Sequence, residues 1–143
     1  MIEAVVSRLE AQVPDLSGRV QGAAEFAALM RDGRLPPHAP AAYVLPLGLS
    51  GGAADAGAGA FTQMVAETVG VVLFFDAHDR TGARALARLQ PFRDEVIAAL
   101  CGWAPEGALG VFQFSRGALL SIARGRLAYQ LDFQVNDQLR ILP

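Results

Sequence analysis

Apolar residues recur at the spacing of one helix face in two long stretches of the chain. The first follows the i, i+3, i+4, i+7, i+11 pattern and comprises Ile2, Val5, Val6, Leu9 and Val13. It predicts an amino-terminal helix that ends at Pro14, because proline cannot continue helical hydrogen bonding. The second stretch, Thr81 to Leu100, predicts another amphipathic helix, in which Pro91 introduces a kink or a restart. A shorter helix is predicted from about Ala23 to Arg31, before a glycine stop.

Other stretches carry the patterns of β-strands. Leu127 to Asn136 alternates apolar and polar residues, which is typical of a strand with one face in the core. Phe61 to Phe75 becomes more apolar toward its end, so we expect a long strand that begins outside the sheet body and ends in the core. Ala42 to Leu49 predicts a further strand, and Pro46 places it at an edge or a bulge because proline lacks a ladder donor. A short strand is predicted around Arg19 to Gln21.

Glycine-rich and proline-rich stretches predict the connections. Ser50 to Ala60 consists almost wholly of glycine and alanine, so we expect a mobile loop with nothing large to pack. Pro36 to Pro40 predicts an extended connector. The region after the long helix is predicted as a meander, with a strand at Leu109 to Phe114, a turn at Ser115 to Gly117, a strand ending at Ala123 and a turn at Arg124 and Gly125.

The order of these elements predicts the fold class. Helices and strands are mixed, and the carboxyl-terminal half is a run of strands that short turns connect. We therefore expect an α+β fold of two layers, with helices packed on one face of a mostly antiparallel or mixed sheet. Residues 1–143 are predicted to form a single domain.

The composition points to a protein that shares apolar surface with another subunit. Of its 143 residues, 52% are hydrophobic and 18% charged, which is rich in apolar groups for a small soluble monomer. Its net charge of -2 removes the global attraction that drives duplex DNA binding. The single Cys101 indicates synthesis in a reducing, cytoplasmic compartment. No apolar run reaches the roughly 18 residues that a membrane span needs.

Two short motifs resemble catalytic sites, and a structural explanation is simpler for both. Gly48 to Gly52 matches the G-x-S-x-G pattern, yet the residues after the serine are too rich in glycine to begin the helix that this site needs. Asp76 to Asp79 clusters three polar ligand types, including His78, at a strand end. Carboxylates at such ends commonly accept amide hydrogen bonds, and Asp79 or Thr81 can cap the next helix. We therefore predict no enzyme activity, no metal and no cofactor.

Polar residues near the carboxyl end are candidates for surface contacts. Arg116, Arg124 and Arg126 fall on predicted hairpin turns, where they could form a basic rim for phosphate groups or for ion pairs between subunits. The polar face of the last strand is rich in acceptors and comprises Gln130, Asp132, Gln134 and Asn136. This face is either ordinary surface or a place where a neighbouring subunit pairs with the sheet.

Most of the chain resembles the tail terminator proteins of long-tailed bacteriophages and phage-like particles such as gene transfer agents. The resemblance depends on structural motifs and not on catalytic ones. These motifs are Thr68 to Val72, Asp79 to Ala83, Leu100 to Pro105, Ser115 to Leu120, and the strand that ends at Asp132 and Phe133. The amino-terminal helix and the proline connector fit the same pattern.

The resemblance implies a virion protein of the tail, made in the host cytoplasm. Such a subunit forms a hexameric ring on the last ring of the tail tube, stops tube growth and offers a surface to the head connector. Partners are then further copies, the tube protein and the connector; no membrane and no specific nucleic acid is expected, although DNA can pass through the ring. A head-tail joining protein or a tube-like subunit is the alternative. The interface candidates are Ser50, Asp55, Phe61, Gln63, Glu67, Arg116, Arg124, Arg126, Gln130, Asp132 and Gln134.

Overall fold

A computed structural model of the chain describes residues 1–78 and 81–143. Asp79 and Arg80 lie outside the described residues, so the prediction that Asp79 caps a helix is not addressed. The helices are α1 (Ile2–Gln12), α2 (Ala23–Asp32) and α3 (Ala83–Leu100). The strands are β1 (Val20–Gln21), β2 (Ala41–Asp55), β3 (Phe61–Asp76), β4 (Gln113–Ala123) and β5 (Arg126–Ile141). Short 3-10 turns occupy Pro14–Leu16 and Gly57–Gly59.

The described strands form one mixed sheet in the order β1-β2-β3-β5-β4. β1 runs parallel to β2, which it contacts only at Ala42 and Tyr43. The other neighbouring pairs, β2 with β3, β3 with β5 and β5 with β4, are antiparallel. The α+β class and the mixed sheet are therefore confirmed.

The larger hydrophobic core lies between one face of this sheet and the helices α1 and α3. Alternate residues of β3, including Val69, Val71 and Leu73, point into this core because successive side chains of a strand face opposite ways. Leu131 and Phe133 of β5 lie beside them on the same face. We call this side of the sheet the helix face and the other side the open face.

Helix α2 packs against the open face, which the prediction of helices on a single face did not foresee. Leu29 of α2 joins Tyr43, Val72 and Phe74 in a second, smaller buried cluster. The ring of Tyr43 lies 5.6 Å from that of Phe26 and 5.7 Å from that of Phe74, centroid to centroid. This cluster covers only the end of the open face near the start of β2, and the rest of that face has no helix over it among the described residues.

The prediction of a mobile loop at Ser50 to Ala60 is wrong for its first half. β2 continues to Asp55, and its residues pair with β3 as far as Thr62. Glycine and alanine have no large side chain to bury, but their backbone groups still form the ladder, so the segment is strand with exposed side chains. Residues 56–60, which include the Gly57–Gly59 turn, join the two strands.

The predicted turn at Ser115 to Gly117 is also wrong. These residues lie inside β4, which runs without interruption from Gln113 to Ala123. The register with β5 shifts between Phe114 and Arg116, so the polar and glycine residues mark a bulge and not a reversal of the chain. The strand predicted at Leu109 to Phe114 is regular only in its last two residues.

Helix α3 begins at Ala83, two residues later than predicted, and contains Pro91. α3 continues through this proline without a restart. Before the helix, the hydroxyl of Thr81 accepts a hydrogen bond from the amide of Ala83 at 3.3 Å, but Gly82 occupies the N-cap position, so Thr81 is not the cap residue. None of the helices within the described residues combines the length and apolar character needed to span a bilayer.

Candidate assembly surfaces

Three strands extend together beyond the part of the sheet that the helices cover. In β3, continuous burial begins at Val69, and of the residues before it only Val65 is buried. In β5 the last buried residue is Val135, and in β2 every residue after Leu45 is exposed. This confirms that the long Phe61 strand begins outside the sheet body. We call the extension, Gly48–Asp55 with Phe61–Glu67 and Asn136–Ile141, the projecting end.

Five of the predicted interface residues lie on this projecting end, namely Ser50, Asp55, Phe61, Gln63 and Glu67. Several of them stabilise the hairpin itself. The hydroxyl of Ser50 donates to the carbonyl of Ala66 at 3.5 Å, and the side-chain amide of Gln63 donates to the carbonyl of Gly52 at 3.2 Å. The carboxylate of Asp55 accepts the amide of Gly57 at 3.0 Å and so holds the tip. These bonds order a segment that has almost no side-chain packing of its own.

The candidates on the last strand meet Arg116 on the open face. Arg116 lies directly opposite Asp132 in the register of β4 and β5, so it sits midway along an edge strand. The side-chain amide of Gln130 donates to the carboxylate of Asp132 at 2.8 Å. Together with Ala118, these residues line a shallow groove. The polar face predicted from the alternation of β5 is therefore present, and Arg116 belongs to it.

The predicted basic rim does not form, because the three arginines are dispersed and two of them serve the fold. Arg126 is largely buried and contacts the carboxylate of Asp76 at 3.0 Å. Its other guanidinium nitrogen donates to the carbonyl of Pro36 at 2.7 Å. Arg124 donates to the carbonyl of Gly33 at 3.1 Å. These arginines attach the segment that follows α2 to the turn between β4 and β5 and to the start of β5, and they are not arranged to bind phosphate.

The two catalytic candidates lack the geometry of active sites. Ser50 lies inside an extended strand on the projecting end, and no helix follows it, so the strained elbow of a nucleophilic serine is not formed. His78 is exposed and lies 3.6 Å from the carboxylate of Asp76, which is already paired with Arg126. No cluster of three or more metal-ligating side chains occurs within residues 1–78 and 81–143.

The electrostatic environment of Tyr43 belongs to the core and not to a site. Burial raises the pKa of the Tyr43 phenol above its ordinary value, and the carboxylate of Glu25 raises it further. The nearby Arg126 acts in the opposite direction and lowers it. The neutral phenol is therefore the form that this packing requires.

The outer edge of β4, which the sequence patterns do not indicate, is the longest unpaired edge of the sheet among the described strands. Among the described strands, β4 pairs with β5 on one side and with nothing on the other. Sheet edges are usually blunted by charged side chains, proline, bulges or a covering element; β4 has two shifts of register, but it carries one charged residue, Arg116, and no proline. Four large apolar side chains of this strand are between 42% and 50% exposed, and they are Phe114, Leu119, Leu120 and Ile122.

The outer edge of β2 is the corresponding free edge at the other end of the sheet. β1 covers it only at Ala42 and Tyr43. The amide of Ala42 donates outward to the carbonyl of Arg19, so the backbone groups of Val44 and Pro46 also face outward by alternation. Pro46 thus sits at an outer edge beside a bulge, and both of its predicted placements are confirmed.

Comparison with known proteins agrees with this architecture. The chain is similar to a chain from the virion of a native gene transfer agent particle, with 16% sequence identity and a TM-score of 0.57. The likeness covers 97% of this chain and 95% of that chain, and at this identity it concerns the fold. The comparison with curated proteins gives no match.

The family is established by the sequence itself. The family model described as phage tail terminator protein matches residues 1–141, which is nearly the whole chain. This is a family of structural proteins of phage tails. The chain is therefore located in the tail or neck of a virion. The chain belongs to the phage tail terminator family and is a tail-related structural protein.

Proposed function

We propose that copies of this chain form a ring on the end of the tail tube, stop its polymerisation and provide the surface that joins the head. The observation that carries the proposal is a pair of free strand edges on opposite sides of one sheet, in a member of this family. They are the outer edge of β4 and the part of the outer edge of β2 that β1 leaves unpaired. A surface with two different free edges favours head-to-tail contacts, which close into a ring when the rotation between copies allows it. The family resemblance implies six copies.

A ring of this kind has two rims, one for the tube and one for the connector. The projecting end, with Ser50, Asp55 and Phe61, lies at one extreme of the strands, and the turn at Arg124 lies at the other. Because the strands run from one rim to the other, each rim contains the opposite ends of the strands and therefore different residues. The extreme with the projecting end exposes Leu139 and Ile141, whereas the other is fastened by Arg124 and Arg126. A subunit with two unlike rims can bind the tube on one side and the connector on the other.

Electron microscopy of particles made without this protein tests the proposal. Tails that are too long, or that remain unattached to heads, are the expected result, and restoring the wild-type chain should return normal particles. Particles with no tail tube at all would instead identify a tube subunit, and normal particles would refute an assembly role.

A further inference from the structure

We infer that the outer edge of β4 in one copy pairs as an antiparallel strand with Gly48–Asp55 of β2 in the next copy. This inference rests on the proposed ring and specifies how its subunits join. The direction follows from the sheet order, since β2, β3, β5 and β4 alternate in direction and β4 therefore runs opposite to β2. Adding the β2 strand of a second copy beside β4 continues the same alternation.

The structure restricts where along β2 the second copy can bind. β1 already occupies the edge at Ala42 and Tyr43. Pro46 offers no donor to an added strand. The part of the edge that remains open begins at Gly48 and continues to Asp55, which is the part that projects beyond the helices. The β4 strand of the neighbouring copy must therefore bind nearer to the projecting end. It cannot bind at the level along β2 that β4 has within its own sheet.

A closed sheet requires an offset of this kind. Within one copy, Gln113 of β4 is level with Gly48 of β2, through Gln134 and Thr68. Four strands about 4.8 Å apart, tilted by roughly 35–45° as in closed barrels, give an offset of about four to six residues per copy. That offset places Gln113 opposite Gly52 to Ala54 of the next copy. The unpaired part of β2, Gly48–Asp55, therefore includes the residues that this offset places opposite Gln113.

The side chains of the two edges also complement each other in size. The large apolar side chain of Phe114, which follows Gln113 and so lies opposite Gly51 to Ala53 in the inferred register, is 42% exposed. β2 presents small residues at Gly51 to Ala54. Large side chains across from small ones can cover them without a clash, so pairing buries apolar area that is exposed in the single copy. A second copy of this chain is thus the partner whose surface fits.

Disulfide trapping tests the register. In a Cys101→Ala background, Ser50→Cys and Arg116→Cys lie on the same face and become neighbours across the inferred interface. Within one chain β3 and β5 keep the two strands roughly 14 Å apart, and Ser50 and Arg116 are also offset along the strands, so they are too far apart for a disulfide. Mild oxidation of assembled rings should convert monomer into a ladder of covalent oligomers. The control pair, Ser50→Cys with Ser121→Cys, should remain monomeric, because Ser121 lies five residues further along β4.

The outcomes separate the inference from the proposed function. Intact rings that do not cross-link at Ser50 and Arg116, or that cross-link only in the control pair, overturn the inferred interface and leave the ring in place. A chain that is monomeric at all concentrations, with normal tails in its absence, refutes the ring as well. If the double variant assembles poorly, the thiol of the single Ser50→Cys variant gives a second measurement. Its alkylation should be slower in the ring than in the monomer, and equal rates would overturn the interface.

Discussion

Arg126 illustrates how a residue on a predicted turn acquires a role that depends on distant parts of the chain. Its guanidinium contacts Asp76 at the end of β3 and the carbonyl of Pro36 in the proline connector. A charge-assisted hydrogen bond of this kind, largely shielded from water, stabilises more than a surface ion pair does. The side chain that could have served a basic rim is therefore used to hold three segments together.

Tyr43 provides a prediction about pH at the same scale. Because burial and Glu25 raise its pKa in the folded state, the unfolded chain releases this proton more readily as the pH rises. The contribution of Tyr43 to stability is therefore complete below pH ~10, the ordinary tyrosine value, and is lost as the pH rises through the folded pKa. Denaturant unfolding from pH 8 to 11 should show this fall, and Tyr43→Phe should reduce it. An unchanged slope in the variant would contradict the assignment.

Local chemistry decided which single residues could be predicted. Pro46 was placed correctly, because its missing backbone donor restricts where the residue itself can lie, whereas the cap position predicted for Thr81 is taken by Gly82. Arg116 and Gly117 were assigned to a turn, because the sequence cannot show what lies across the strand. An added Cβ at Gly117 would lie 2.8 Å from the Tyr129 hydroxyl, so a larger residue there would force the Tyr129 side chain to move. This close approach is between β4 and β5, which are distant in the sequence there, so no pattern of neighbouring residues predicts it.

At the scale of elements, the alternation of apolar residues predicted the helices and the buried strands well. It failed for the carboxyl-terminal half of β2, because a strand there is defined by backbone pairing with β3 and not by buried side chains. Glycine and alanine score poorly as strand formers since they contribute little side-chain packing. For the same reason, the sequence predicted the part of the projecting end that begins β3 at Phe61 but not the part that Ser50 to Asp55 of β2 contribute.

Hydrogen exchange can distinguish a paired hairpin from a mobile loop. In the monomer, amides of Gly48–Asp55 that bond to β3 should exchange at least about tenfold more slowly than those of the Gly57–Gly59 turn, because ladder amides exchange only when the strands open. Amides on the outer edge of the same segment should exchange quickly in the monomer. Uniformly fast exchange from Ser50 to Ala60 would support the mobile loop and contradict the paired hairpin. The amides in the carboxyl-terminal part of β3 are the slowly exchanging reference.

At the scale of the whole molecule, one face of the sheet is closed and its two edges are not. The helix face buries the larger core under α1 and α3, which accounts for the stability of a single copy. Beyond that core, apolar groups such as Leu49, Leu119 and Ile141 remain between 47% and 63% exposed. The surplus of apolar residues in the composition is thus located mainly on edge strands and strand ends, where further copies can cover it.

The chemistry of these edges predicts how assembly responds to salt. Contacts between backbone groups and apolar side chains are not screened by ions, whereas the net charge of -2 on each copy opposes association at low ionic strength. Raising sodium chloride from 0.1 M to 1 M, which shortens the screening length from about 10 Å to about 3 Å, should leave self-association unchanged or strengthen it. Sedimentation velocity over a range of protein concentrations measures this response. A Leu119→Glu variant places a negative charge on β4, at the inferred interface. It should associate less than the wild type at 0.1 M and recover partly at 1 M, because screening relieves the added repulsion. Dissociation of the wild-type assembly by salt would show that ion pairs, and not the two free edges, hold the copies together.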